Sequence, residues 1–233
     1  MTTPLTRLSH FRLSCLSAAL CAVLLNGCAT ADCDCCKAKP AAASATRSLF
    51  DGKTLAGWKS SDFAGGGEVK VEPNFRSQGP VILIEAGQSL SGITFTNQVP
   101  KTNFEITFEA LKVQGSDFFV GLTFPVGDAH ATLVLGGWGG ATVGISSIDG
   151  LDASENDTTK FLGFDKDKWY RIRMKVTPAR LETWINDDKV VDQELKDRRI
   201  SMRFGEIENS VPLGLATYQT TTAVRNVQLK PVP

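Results

Sequence analysis

Two stretches carry the clearest pattern of hydrophobic and polar positions. In Asn103-Phe-Glu-Ile-Thr-Phe-Glu109, Phe104, Ile106 and Phe108 alternate with Glu105, Thr107 and Glu109. In Trp169-Tyr-Arg-Ile-Arg-Met-Lys-Val176, Tyr170, Ile172, Met174 and Val176 alternate with Trp169, Arg171, Arg173 and Lys175. A period of two is that of a strand with one buried and one wet face. Phe104, Ile106, Phe108, Tyr170, Ile172 and Met174 are therefore predicted to lie between two sheets, with Glu105, Arg171 and Arg173 on an outer or concave polar face. Strands are also expected at Val81–Glu85, Gly92–Thr96, Phe118–Phe124, Ala131–Leu135, Thr142–Ser147, Arg180–Ile185, Lys189–Gln193, Leu213–Tyr218 and Val224–Leu229. Asn186-Asp187-Asp188 reads as a tight hairpin turn between two of them. No segment carries a helical stripe, and Asp187–Arg199 fits neither period cleanly. Many short strands joined by polar turns predict an all-β sandwich of two antiparallel sheets packed face to face.

The start of the chain follows a different rule. Arg7 and Arg12 precede any acidic residue, the first of which is Asp32, and Leu13–Leu25 forms one short apolar run. A bilayer-spanning helix needs roughly 20 apolar residues, whereas a run of this length suits the core of a signal peptide. It ends in Leu25-Asn26-Gly27-Cys28, which resembles the lipobox of bacterial lipoproteins. The resemblance implies lipidation of the Cys28 thiol, cleavage before it and acylation of the new amine. Residues 1–27 are then a signal peptide, 28–47 a Cys/Ala-rich tether and 48–233 the folded domain. The expected location is the bacterial cell envelope, on the periplasmic or outer-membrane face, with the membrane touched only through the lipid anchor. Several acyl chains hold firmly where a single one binds marginally.

All six cysteines fall at or before position 36, so the domain is expected to hold no disulfide and no thiol nucleophile. Asp32-Cys-Asp-Cys-Cys36 lacks the paired C-x-x-C spacing of a structural zinc site; a soft-metal site and a reactive tether segment both fit it. Ala41–Thr46 reads as a small-residue linker. Lysine plus arginine equal aspartate plus glutamate at 25 each over the whole chain, which excludes the basic footprint of a nucleic-acid binder.

Leu49-Phe-Asp-Gly-Lys-Thr-Leu-Ala-Gly-Trp-Lys59 closely resembles the opening of the 3-keto-disaccharide hydrolase family, also described as 3-keto-glucoside 1,2-lyase and 3-keto-2-hydroxyglucal hydratase. Asn103–Glu109 is similar to the family's second block. Lys168–Val176 with Leu181–Asp192 is similar to its W-x-x-x-x-I…W-x-N-x-x-x-V-x-D hairpin, and Gly214–Tyr218 with Val224–Lys230 to its closing strands. The resemblance implies a concanavalin A-like jelly roll and a carbohydrate partner, an oxidised disaccharide or glycoside. Many relatives carry a Gly-Val-Phe-x-Arg-Gly segment and then a Glu-x-Gln pair facing the concave sheet. At the corresponding places this chain has Phe119–Pro125 and His130–Gly140.

A ketone at C3 of a sugar acidifies the hydrogen at C2. A site that exploits this must supply a base, a means of stabilising the enolate and a proton donor for the leaving oxygen. His130, the only histidine after residue 48, is the candidate base, with Asp128 beside it and Thr132 on the same strand face as a substrate contact. Asp149, Asp152 and Glu155 lie in one acidic segment whose hard oxygens suit a divalent metal such as Ca²⁺, though the spacing matches no EF-hand and favours a solvated acidic turn. Gly136-Gly-Trp-Gly-Gly140 frames Trp138 with glycines and suits either an indole exposed to stack on sugar or a bulged strand. Trp58, Trp169 and Trp184 belong to framework blocks and are expected to pack. Two functions remain open at this point: cleavage of 3-keto-glycosides, and non-catalytic glycan binding or scaffolding. The anchoring expectation is checked by mass spectrometry of the mature N-terminus. The wild-type chain should begin at an acylated Cys28, and Cys28→Ala should be uncleaved there or released from the membrane.

Overall fold

The computed structural model describes residues 45–233; the stretch read as a signal peptide, Cys28 and the Cys33, Cys35 and Cys36 cluster lie outside the described residues. Fifteen strands follow in chain order. The first five are β1 (Arg47–Ser48), β2 (Trp58–Ser60), β3 (Val69–Glu72), β4 (Val81–Ile84) and β5 (Leu90–Phe95). The middle five are β6 (Phe104–Gln114), β7 (Val120–Val126), β8 (Ala129–Gly136), β9 (Thr142–Ser146) and β10 (Lys160–Phe161). The last five are β11 (Trp169–Val176), β12 (Arg180–Ile185), β13 (Asp188–Glu194), β14 (Leu213–Tyr218) and β15 (Thr221–Pro231). Every strand anticipated from periodicity is present. The additional ones, β1, β2, β3 and β10, have two to four residues, too few for an alternation to declare itself.

One sheet has eight strands in the order β13-β12-β11-β6-β15-β4-β3, with β1 added along β15. The other has seven, in the order β10-β9-β8-β7-β14-β5-β2. The strand pairs are antiparallel, and the two sheets share one core, as expected of the sandwich. Arg47 pairs with Leu229, so the sheet begins just inside the stretch read as tether. Phe104, Ile106, Phe108, Tyr170, Ile172 and Met174 are all buried, each on its predicted face.

Glu105 departs from expectation. It does point to the outer side of the eight-stranded sheet, but it is only 5% exposed. Arg173 reaches it at 3.3 Å and Lys230 at 2.9 Å, and these two long side chains cover the carboxylate while keeping their own charge near water. On the same outer face Arg173 lies 3.6 Å from the ring centre of Trp184, and Arg225 lies 4.0 Å from that of Trp169, so both tryptophans are covered by cations.

The opening block has a local cause. Asp51 accepts hydrogen bonds from the N–H groups of Lys53 and Thr54 at 2.8 and 2.7 Å and from the Thr54 hydroxyl at 2.9 Å, closing a turn through Gly52. The Thr54 and Lys53 N–H groups hold its carboxyl below the usual carboxylate range. The turn brings Trp58 back so that its indole N–H donates to the Leu49 carbonyl at 2.6 Å.

Burial separates phenylalanines that composition cannot. Phe104→Ala, at 0% exposure, should cost about 3–5 kcal/mol in chemical denaturation. Phe204→Ala, at 93% exposure, should change stability by no more than about 0.5 kcal/mol.

Candidate functional site

Alternation along the seven-stranded sheet decides what its outer face offers. In β8, Ala131, Leu133 and Leu135 enter the core, leaving His130, Thr132 and Val134 on the other side. By the same rule β9 presents Ser146 and β14 presents Tyr218 outward.

The segment Ser201–Ser210 lies across this face. Ile207 and Met202 pack with Phe63 and Ala216. Beneath them the Thr123 hydroxyl lies 3.0 Å from that of Thr132 and 2.7 Å from that of Ser210, and the Ser210 hydroxyl also donates to the Ile207 carbonyl. The approach is close enough that a Cβ on Gly214 would sit 2.6 Å from that of Ser210. Thr132 is therefore 3% exposed, and its hydroxyl holds this segment down.

Where the segment leaves the sheet uncovered, a cleft of about 390 Å³ opens. Its floor includes Thr132, Val134, Ser146 and Tyr218. One wall is built from Asp117, Phe118 and Trp138, the other from Arg203, Phe204, Glu206 and Ile207. Trp138 reaches the cleft because the chain turns sharply at Gly136–Gly140. Trp138 itself sits at φ 48° and Gly139 at φ 88°, a left-handed pair of the kind glycine permits and other residues adopt at a cost. Asp117 holds that turn: its Oδ2 accepts from the Gly139 N–H at 3.1 Å while Oδ1 accepts from the Phe118 N–H at 2.7 Å. The indole is left 45% exposed.

The charged groups of the cleft are differently engaged. Arg203 forms an ion pair with Asp152 at 2.8 Å, and its guanidinium lies 5.7 Å from the Trp138 ring centre. Glu206 accepts from the Ala64 N–H at 3.0 Å through Oε1, and Oε2 has no hydrogen-bond partner among the described residues. The Tyr218 hydroxyl is likewise unpaired among the described residues.

Of the residues expected at the site, the structure brings Trp138 and Thr132 into the cleft. It does not bring His130 and Asp128 there. Asp128 occupies the β7–β8 turn with its side chain 93% exposed and paired to Lys101 at 2.6 Å, which holds its carboxyl below the usual range. His130 shares the face of Thr132 but lies one pleat beyond the cleft lining, opposite Pro125.

Asp149, Asp152 and Glu155 do not converge either, and no cluster of three or more His, Cys, Asp or Glu among the described residues has a metal-holding arrangement. The reason is local. Asp149 accepts from the Arg199 N–H and from Arg198, both at 2.8 Å, and Arg198 also holds Asp157. Asp152 is taken by Arg203. The Asn156 amide occupies the middle of the loop, donating to the carbonyls of Ile145, Leu151 and Asp152 at 2.8, 3.0 and 2.8 Å, where a cation would otherwise gather oxygens. Glu155 is exposed. The residues do not fit a divalent ion.

Asp117, Phe118, Arg203, Phe204, Glu206 and Tyr218 were not anticipated. Period two alone would have turned Tyr218 outward, because Leu213 and Leu215 face the core. The others stand in connections, where no period exists.

A match to the family described as the 3-keto-alpha-glucoside-1,2-lyase-like domain runs over residues 45–230. The chain belongs to this family. The match takes in every element that builds the cleft, from Phe63 to Tyr218. The domain also resembles solved structures in fold. One is a Crh5 transglycosylase in complex with NAG, at TM-score 0.53 and 11% identity over 82% of this chain and 85% of that one. Another is a carbohydrate esterase from the Shiga toxin-encoding bacteriophage phi24B, at TM-score 0.51 and 12% identity over 81% of this chain and all of that one (100%). At such identities the likeness is one of fold. A comparison with curated proteins finds no match in sequence.

His130 supplies a pH test of this 3-keto-alpha-glucoside-1,2-lyase-like domain. Desolvation first, and the Lys101 charge second, lower its pKa from 6.5. On acidification the unfolded chain therefore takes up this proton before the native state does, and stability should be full above pH 6.5 and decline as pH falls through and below it. Melting temperatures between pH 8 and pH 5 should show this decline in the wild type and a flatter profile in His130→Gln.

Proposed function

We propose that the domain cleaves glycosides carrying a ketone at C3, by proton abstraction at C2, elimination of the C1 substituent and hydration. The observation that carries this reading is the cleft itself. A carboxylate with one free oxygen and a guanidinium stand three positions apart on one wall, facing a half-exposed indole on the other. Family membership supports a carbohydrate ligand, and the fold is shared with proteins described as a transglycosylase and a carbohydrate esterase.

The chemistry assigns roles. Trp138 offers its face to a sugar ring, as flat apolar surface does for the C–H face of a pyranose. Glu206 Oε2 takes the C2 proton, with Oε1 held by the Ala64 N–H so that the acceptor is aimed beforehand. The electron pair left at C2 is delocalised onto the C3 oxygen, whose negative charge Arg203 faces. Collapse of the enolate restores the C3 ketone, forms a C1–C2 double bond and breaks the C1–O bond; the Tyr218 hydroxyl is placed to protonate the departing oxygen. Addition of water across C1–C2 completes a net hydrolysis. Through the Cys28 anchor this would occur at the cell envelope.

The test is turnover of a 3-keto-glucoside by the purified full-length chain. Glu206→Gln should cut turnover by about 10²–10⁴-fold, whereas Trp138→Ala should weaken sugar binding by about 1 kcal/mol, near fivefold in Kd by calorimetry. A wild-type protein that binds glycans yet never turns over the keto substrate makes this a binding module. Full activity in Glu206→Gln removes Glu206 as the base.

A further inference from the structure

Asp152, expected from its sequence neighbourhood to hold a metal, has a different partner. We infer that it is a positioning residue for the cleft, acting through Arg203 to keep the guanidinium beside Trp138. This rests on the reading above, in which Arg203 faces the enolate oxygen.

Asp152 starts from a fixed backbone. Its own carbonyl and those of Ile145 and Leu151 are gathered by the single Asn156 amide, while Asn156 Oδ1 accepts from the N–H and hydroxyl of Thr158 at 3.0 and 2.6 Å. The side chain is fixed as well. Oδ1 accepts from the Ser147 hydroxyl at 3.1 Å, which leaves Oδ2 for Arg203 at 2.8 Å. The neighbouring carboxylates are not free to substitute: Asp149 and Asp157 both belong to Arg198. Among the described residues Asp152 is the only carboxylate within ion-pair distance of Arg203.

Magnitudes say what such a pair is for. With the side chains 21% and 54% exposed, water screens it and its contribution to stability is small. The contact with Trp138, at 5.7 Å, is near the outer limit of a cation–π interaction, too weak to hold a long arginine alone. Removing Asp152 therefore leaves the fold intact and lets Arg203 explore its rotamers. Misplacing a group by an ångström or so lowers a rate by factors of about 10- to 100-fold. Arg203 has further N–H donors besides the one Asp152 uses, so holding the arginine does not consume it.

The experiment compares Asp152→Asn, Asp152→Glu and Asp157→Asn with the wild-type full-length chain, reading kcat, KM, melting temperature and Trp138 fluorescence, the last by difference against Trp138→Phe. Asn keeps the acceptor for Ser147 and puts an uncharged N–H donor where Oδ2 faced Arg203. In Asp152→Asn we expect kcat down about 10- to 100-fold, KM within a factor of about two, an unchanged melting temperature and a shifted Trp138 emission. Asp152→Glu should recover part of the rate, and Asp157→Asn should match the wild type in rate and emission. Wild-type kcat in Asp152→Asn overturns the inference. If the wild type turns over no keto substrate, the reaction reading has failed and the emission alone decides: a shift confined to the Asp152 variants sustains the positioning role, and no shift overturns it.

Discussion

The hydroxyl of Thr123 is the point on which the site hangs. It stands in the middle of the seven-stranded sheet, meets Thr132 on one side and Ser210 on the other, and so ties a strand pair to the far end of a segment whose start is held by Ser201, which exchanges backbone hydrogen bonds with Ser147. A buried hydrogen bond contributes about 0.5–1.5 kcal/mol, but leaving one of these hydroxyls unmatched costs about 1–3 kcal/mol. The chain of contacts is therefore worth keeping whole. The Thr94 hydroxyl donates to the Asn209 carbonyl at 3.1 Å and the Asn209 amide to the Asp62 carbonyl at 2.6 Å, adding two more tie points. Without them the crossing segment would have less to hold it over the sheet's outer face. With them that face is a cleft whose second wall carries Arg203 and Glu206.

The cleft sorts its two carboxylates. Asp117 has both oxygens engaged by N–H groups and so serves the turn that presents Trp138. Glu206 has one oxygen engaged and one open. Equal chemistry, placed against different backbones, separates a fully engaged acid from one with an open oxygen.

The framework was legible because it obeys a period. Phe104 through Phe108 and Tyr170 through Met174 could be assigned to a face before any contact was known, since a one-residue slip would expose all of them. Glu105 was on the right face yet buried, because Arg173 and Lys230 come from other strands and their reach does not show in the local pattern. The site was legible at Trp138, where glycines flag an unusual backbone, and at Thr132, which period two turns to the outer face. Asp117, Arg203 and Glu206 lie in connections, far apart in sequence, and only the folded sheet juxtaposes them. The acidic run at 149–157 misled for the same reason: its arginine partners lie some 40 to 50 positions later, at 198, 199 and 203.

The Gly136–Gly140 turn also bears on how this protein changes over time. Strand register depends on the alternating core positions, and none of the groups proposed to act in the cleft is one of them. The indole sits on a five-residue reversal, and the acid and the cation on a crossing segment latched at a few hydroxyls. Connections accept substitution and length change far more readily than paired strands do. The chemistry of the cleft is thus separable from the architecture beneath it, and selection on ligand preference can act on a handful of connecting positions while the sandwich is inherited unchanged.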